Sequence, residues 1–270
     1  MKVLLIMMSI NPFSVLAETI SPAAIQFFVL AMIALIIIGT IIQMIHHKNV
    51  TYFFNNAKKA KLSADRELGA AEKTSVILKT VVHDIATTAE LGAGKRRVAH
   101  VLGMYGTILF WVASAVMVFC YTGKEIMTPT IWPMIWHIGA IMTCVGGYWF
   151  WLFLRVDVLA EAHPWYRIIK ADLFVLALLA CATTGLAWSY FQSSNSMGLS
   201  YLFLILFITS NIVLFGGVYW SKFAHMFYKP GAAIQKNLAE ADGSRDNLPP
   251  LADAPKQFGL GIKREQPKHY

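Results

Sequence analysis

The sequence predicts an all-α integral membrane protein: a five-helix transmembrane bundle with a cytoplasmic amphipathic segment and an irregular C-terminal tail. The first observation is composition, because 57% of the 270 residues are hydrophobic and only 14% are charged, whereas soluble domains carry about 25% charged residues. The second is a set of five apolar runs, each close to the roughly 20 residues that a membrane span needs. The third is that 21 of the 23 Lys and Arg residues lie in three of the segments that flank these runs.

The order of the runs and of the basic residues predicts the topology. The predicted spans are residues 22–45, 98–121, 131–154, 171–191 and 199–220. The basic segments are 46–97, 155–170 and 222–270, which hold ten, three and eight Lys and Arg residues. All three fall on one side if every run crosses the membrane, and segments rich in Lys and Arg stay in the cytoplasm. We therefore expect a multi-pass protein of a bacterial inner membrane, with a periplasmic N-terminus and a cytoplasmic C-terminus.

Residues 1–17 have the features of a cleavable signal peptide. Lys2 precedes a short apolar core, and the segment ends in a small residue, Ala17. The alternative is that this segment extends the following helix. We expect residues 18–228 to form the membrane domain, which includes the cytoplasmic loop 46–97, and residues 229–270 to form a cytoplasmic tail.

The segments outside the spans are polar but not featureless. Apolar residues recur at helical spacing between 76 and 85, which predicts an amphipathic helix that lies on the bilayer or against a partner. The tail contains Pro249, Pro250 and Pro255 and is expected to be mostly irregular after a helical stretch that ends near Glu240.

Asp172, at the start of the fourth span, is favoured there by the helix dipole. The net charge of +8 suits anionic lipid head groups or an acidic partner and does not by itself indicate nucleic acid.

Two histidines are the candidate cofactor ligands. His100 lies just inside the second span and His225 just past the fifth, so both belong to the cytoplasmic end of the bundle. Two neutral imidazoles at matching depth on different helices can ligate the iron of one haem b from opposite faces. Gly103, one turn after His100, would leave space for the porphyrin, and Arg97 or Lys222 could pair with its propionates. The alternative is that both histidines reach to lipid head groups at the interface.

The other histidines have simpler interpretations. His137 lies at the outer end of the third span, where it could contact a quinone carbonyl; a plain hydrogen bond is the favoured interpretation. Five more histidines are expected to be solvated or interfacial: His46, His47, His83, His163 and His269.

Several classes of function are excluded or disfavoured. The three cysteines form no C-x-x-C motif, so an iron–sulfur cluster held by this chain alone is not expected. The sequence contains no phosphate-binding loop, G-x-S-x-G or H-E-x-x-H motif. A transporter is also disfavoured, because the five spans carry no charge near the midplane.

Two stretches carry a resemblance to a known family. Residues 96–106 (RRVAHVLGMYG) and 221–228 (SKFAHMFY) resemble the second-helix start and the fifth-helix exit of the membrane cytochrome b subunits of the respiratory nitrate reductase gamma and heterodisulfide reductase family. The tail that follows is similar to that of the membrane anchors that accompany adenylylsulfate (APS) reductase. The resemblance covers the five-span core and the tail. Two-haem members of the family carry a second histidine pair, where this chain has Phe110 and Phe207, so the resemblance implies at most one haem b, held by His100 and His225.

The resemblance implies a function with two alternatives. In the first, the chain is a membrane anchor and electron-transfer subunit. It docks the soluble alpha and beta subunits of APS reductase on the cytoplasmic face, where that enzyme oxidises sulfite with AMP, and passes electrons to a quinone through one haem b or directly. In the second, it is a haem-free structural anchor that only recruits the reductase. Both make the chain a non-catalytic subunit rather than an enzyme by itself.

Overall fold

A computed structural model of the chain describes residues 2–46, 48–91, 94–123, 127–155, 158, 161–221, 223, 225–244, 257–258 and 262–263. All of the longer elements in this part are helices. The first six α-helices are α1 (Lys2–Ser9), α2 (Pro12–Leu16), α3 (Pro22–His46), α4 (Asn49–Leu62), α5 (Ala70–Lys79) and α6 (Lys95–Cys120). The next four are α7 (Ile131–Trp149), α8 (Leu173–Ser193), α9 (Met197–Gly216) and α10 (His225–Ala241).

Shorter elements extend or join these helices. A π-helical turn continues α5 over Thr80–Ala86, and another continues α7 over Phe150–Leu154. Short 3₁₀ segments cover Ala89–Leu91, Lys170–Asp172 and Gly217–Tyr219. Two short antiparallel strands, β1 (Gln257–Phe258) and β2 (Ile262–Lys263), pair with each other in the tail.

Five helices are long and apolar enough to cross a membrane. They are Pro22–His46, Lys95–Cys120, Ile131–Leu154, Lys170–Ser193 and Met197–Tyr219. Each coincides with one of the spans predicted from hydropathy, to within a few residues at each end. The predicted five-helix membrane bundle is therefore confirmed, and the chain is a multi-pass membrane protein.

The chain divides into two compact units. The first, which we call the bundle, comprises Met1–Gln43 and Val98–Ala224. The second, which we call the charged unit, comprises Met44–Arg97 and His225–Tyr270. The bundle contains nearly all of the apolar helical length, whereas the charged unit is built from segments that flank the spans.

Helices α6 and α7 pack with their backbones in contact. A Cβ atom built on Gly106 would lie 2.6 Å from the backbone nitrogen of Thr143, and one on Gly139 would lie 2.6 Å from that of Phe110. A Cβ atom on Gly146 would lie 2.5 Å from the carbonyl oxygen of Ala99. Small residues at such crossings allow membrane helices to approach closely and gain van der Waals contact. The glycines therefore fix the pairing of these two helices.

The N-terminal segment packs into the bundle in the uncleaved chain. Asn11 caps α2 by accepting a hydrogen bond from the backbone N–H of Phe13, and its amide donates to the carbonyl of Tyr121. Phe13 and Ala17 are 6% and 5% exposed. The signal-peptide interpretation of residues 1–17 stays a prediction. Cleavage after Ala17 would remove these buried side chains from the bundle.

Within the charged unit, α10 packs against α5 and its π-helical extension. The Asn237 amide donates to Thr80 Oγ1 at 2.8 Å and to a carboxylate oxygen of Asp84 at 2.6 Å. The hydrogen bond from His83, followed by that from Asn237, holds the pKa of Asp84 below its ordinary value of 3.8. This contribution to stability is therefore present above pH 3.8 and is lost as the pH falls through the lower folded-state pKa.

Candidate functional site

His100 and Gly103 lie on the first turns of α6. The sequence Lys95-Arg96-Arg97 opens this helix, and the His100 side chain is exposed. A Cβ atom built on Gly103 would meet no atom within 4 Å, so the space beside this residue is open. This half of the predicted site therefore has an accessible imidazole with free volume one helical turn away.

His225 is the first residue of α10 and belongs to the charged unit. Its imidazole lies outside the side chains that the structure describes, and Lys222 lies outside the described residues. The other residue expected to pair with a propionate, Arg97, donates from Nε to the carbonyl of Thr87 at 2.8 Å within the charged unit. His100 belongs to the bundle and His225 to the charged unit, and the pairing of the two histidines stays a prediction.

Phe110 and Phe207 lie where the resemblance places the second histidine pair, and they face each other inside the bundle. Their ring centroids are 6.4 Å apart at an interplanar angle of 78°. Trp136 lies 5.0 Å from Phe110, and Trp188 stacks on Phe207 at 5.6 Å. Phe13 adds edge contacts to both tryptophans. These five residues, which we call the aromatic core, are packed hydrophobic side chains and contain no group that could ligate a metal.

His137 is fully buried beside the aromatic core. Its Nδ1 lies 2.7 Å from the carbonyl oxygen of Pro133, and its Nε2 lies 2.9 Å from Ser189 Oγ. A carbonyl oxygen only accepts, so Nδ1 carries the proton and Nε2 accepts from the Ser189 hydroxyl. Both ring nitrogens are used within the bundle, which favours the plain hydrogen bond over a quinone contact.

A buried ion pair joins the ends of α7 and α8, and sequence reasoning missed it. Arg155 Nη2 lies 2.8 Å from Asp172 Oδ2, with side chains that are 5% and 13% exposed. The guanidinium also lies 4.2 Å from the ring centroid of Trp151, a cation–π contact. Asp172 accepts a further hydrogen bond from the backbone N–H of Ile169. The only sequence signal was an Arg and an Asp at the facing ends of consecutive spans.

The charged unit presents apolar side chains on its surface. Four residues of the predicted amphipathic segment are 36–64% exposed: Ile77, Leu78, Val81 and Val82. On the same segment Thr80 is buried, at 1% exposure, against Asn237. The polar Thr80 side therefore faces the unit's interior, and the apolar side is free to meet a bilayer or a partner protein.

Comparison of the chain with protein families, with curated proteins and with solved structures found no match. Among the described residues no group of three or more His, Cys, Asp and Glu side chains could hold a metal ion. A haem needs only two axial ligands, so this observation does not bear on the predicted histidine pair.

Proposed function

We propose that this chain is the membrane anchor and electron-transfer subunit of an oxidoreductase complex of a bacterial inner membrane. The charged unit docks a soluble APS reductase on the cytoplasmic face, and the bundle delivers electrons from it to the quinone pool. The identity of the partner rests on a resemblance. Residues 96–106 and 221–228 resemble the membrane cytochrome b subunits named above, and the tail is similar to that of the membrane anchors of APS reductase. The chain itself supplies attachment and an electron route, while the docked subunits carry out the chemistry on sulfite and AMP.

The observation that carries the proposal is the assembly of the charged unit from two distant segments. Residues 44–97 and the start of the tail are separated by four spans, an even number, and they fold into one compact unit. The even number of spans and the shared compact unit support a placement of the two segments on the same side of the membrane. The two segments are also the two most basic parts of the chain. Loops rich in Lys and Arg stay in the cytoplasm, so the charged unit is the part that meets a cytoplasmic partner.

The surface of the charged unit suits an acidic partner with an apolar patch. Lys58, Lys59 and Lys61 are exposed on α4, and the apolar side of α5 with its extension is exposed as well. Protein interfaces combine a desolvated apolar centre with a polar rim. Complementary charge accelerates association and makes it sensitive to salt.

The docking proposal is tested by binding. Full-length protein in lipid nanodiscs should bind purified APS reductase, and the variant with Lys58, Lys59 and Lys61 all changed to Glu should bind at least about tenfold more weakly. Raising the salt concentration should weaken the wild-type complex, because exposed charges are screened. The control is Lys124→Glu, in the segment between the second and third spans, which should leave the Kd unchanged. Binding that is equal in all three proteins and insensitive to salt contradicts docking through the charged unit.

The electron route has two forms. In one, His100 and His225 hold a haem b, which supplies one-electron transfer; the exposed imidazole of His100 and the open space beside Gly103 support this form. In the other, the chain is a haem-free anchor. The packed aromatic core supports this second form, because Phe110 and Phe207 leave no ligand for an outer haem and hence no chain of haems across the membrane.

A visible spectrum separates the two forms. A dithionite-reduced minus oxidised spectrum of the purified, haem-supplied protein should show a b-type signal that is lost in both His100→Ala and His225→Ala. His83→Ala removes another histidine of the charged unit and should leave the signal intact. A flat spectrum from well-folded protein eliminates the haem and leaves the haem-free anchor. A signal that persists in either ligand variant contradicts the assignment of that histidine.

A further inference from the structure

Residues 11–17, which we call the plug, are packed inside the bundle. They form helix α2 and the two residues that flank it. Asn11, Pro12, Phe13 and Ala17 are all buried, and the polar Asn11 is only 2% exposed. A leader that is removed after export needs no partners within the mature protein. The burial of the plug therefore indicates a folded part of the bundle.

Hydrogen bonds tie the plug to two other parts of the bundle. The Asn11 amide donates to the carbonyl of Tyr121 at 3.3 Å and to Thr128 Oγ1 at 3.1 Å, and both of these residues lie in the connection between α6 and α7. Gln192, near the end of α8, donates to the carbonyl of Pro12 at 3.2 Å. Burial of an amide is costly unless it finds such partners. Directional contacts therefore fix the position of the plug, in addition to its apolar packing.

Phe13 completes the aromatic core. Its ring centroid lies 5.5 Å from that of Trp188 and 6.0 Å from that of Trp136, and both contacts are edge-on. The two tryptophans are 1% and 0% exposed. Aromatic pairs in this geometry stabilise a fold beyond the area that they bury. Loss of Phe13 would leave a cavity against both indoles, and cavities in a packed core are destabilising.

The sequence of the plug specifies its helix. Asn11 accepts a hydrogen bond from the backbone N–H of Phe13 at 3.0 Å, and Pro12 occupies the first turn of α2. Asn at the N-cap and Pro in the first turn both favour the start of a helix. The segment predicted to be removed thus contains a helix start of its own.

The backbone at the predicted cleavage position is folded as well. The N–H of Ala17 donates to the carbonyl of Phe13 at 3.0 Å. The N–H of the next residue, Glu18, donates to the carbonyl of Val15 at 3.2 Å. Proteolytic cleavage concentrates at exposed loop tips, whereas Ala17 is 5% exposed. The folded chain therefore does not present the bond between Ala17 and Glu18 to a peptidase.

We propose that residues 1–17 stay in the mature protein and that the plug closes one end of the bundle. This is the end at which the connection between α6 and α7 meets the end of α8. The plug is then a permanent structural element, in place of the predicted cleavage after Ala17. These contacts all lie within the bundle, so the plug and the proposed function stand or fall separately.

The mass of the purified protein tests retention directly. The full-length chain, expressed in a bacterial host with a C-terminal tag and purified from membranes, should have the intact mass of the whole sequence plus the tag. The initiator methionine is the only residue whose loss is compatible with the plug. A mass lower by that of residues 1–17, with Glu18 as the first residue in N-terminal sequencing, overturns retention.

Thermal unfolding in detergent tests whether the retained segment is packed. Phe13→Ala should lower the Tm by at least about 5 °C, because it leaves a cavity in the aromatic core. Phe27→Ala on α3 is the matched control, since Phe27 is 72% exposed, and its Tm should stay within about 2 °C of wild type. A substitution in a segment that is removed cannot change the mature protein. A Phe13→Ala protein with the full mass and the wild-type Tm would show a segment that is retained but not packed, which overturns the plug.

Discussion

Replacing Arg155 with Met should lower the free energy of unfolding of the bundle by about 3–5 kcal/mol. Its guanidinium lies 2.8 Å from the Asp172 carboxylate, and the two side chains are 5% and 13% exposed. The substitution leaves the carboxylate buried without its counter-charge and removes the cation–π contact with Trp151. Thermal unfolding in detergent, followed by far-UV circular dichroism, measures the loss.

A second ion pair provides the control. Glu161 and Arg167 approach to 3.6 Å, but their side chains are 56% and 44% exposed. Glu161→Gln should therefore cost about 1 kcal/mol or less. The double variant Arg155→Met with Asp172→Asn should regain part of the loss, because neither charge is then left alone in the interior. An Arg155→Met protein as stable as wild type would show that the buried pair does not hold α7 and α8 together.

Hydropathy predicted the five spans because the membrane restricts the possible structures so strongly. A chain that crosses hydrocarbon must satisfy its backbone hydrogen bonds internally, and a single apolar run can do so only as a helix. The predicted span 131–154 matches Ile131–Leu154, and the first span differs from Pro22–His46 by one residue. The second helix begins three residues before the predicted start, at Lys95. Charged residues can extend a helix beyond the apolar run that hydropathy detects.

Contacts between helices were not predictable in the same way. The sequence placed Asp172 at the start of the fourth span, where the helix dipole favours a carboxylate. Nothing in the sequence indicated that Asp172 would pair with Arg155. A hydrogen bond of His137 was expected, but nothing in the sequence identified Ser189 on α8 as its partner. Hydrophobicity selects which segments enter the membrane, but side-chain packing decides which of their faces meet.

Gly106→Ala should be among the most disruptive single-methyl changes in the bundle. The added Cβ would lie 2.6 Å from the backbone nitrogen of Thr143 and 2.8 Å from the carbonyl oxygen of Gly139. Both atoms belong to the backbone of α7, so no side-chain rotation relieves the overlap and the helices must separate. Overpacking of this kind costs about 1–3 kcal/mol. The same separation would lengthen the 3.4 Å contact between the hydroxyls of Thr107 and Thr143.

Gly103→Ala, one turn earlier on the same helix, is the matched control. Its added Cβ meets no atom within 4 Å, and alanine favours a helix over glycine by about 1 kcal/mol. Gly103→Ala should therefore unfold at the same temperature as wild type or slightly higher, while Gly106→Ala unfolds several degrees lower. Equal destabilisation by both would mean that glycine flexibility, rather than close contact of the backbones, is what α6 requires. A drop confined to Gly106→Ala would establish the contact between α6 and α7 as the determinant of their packing.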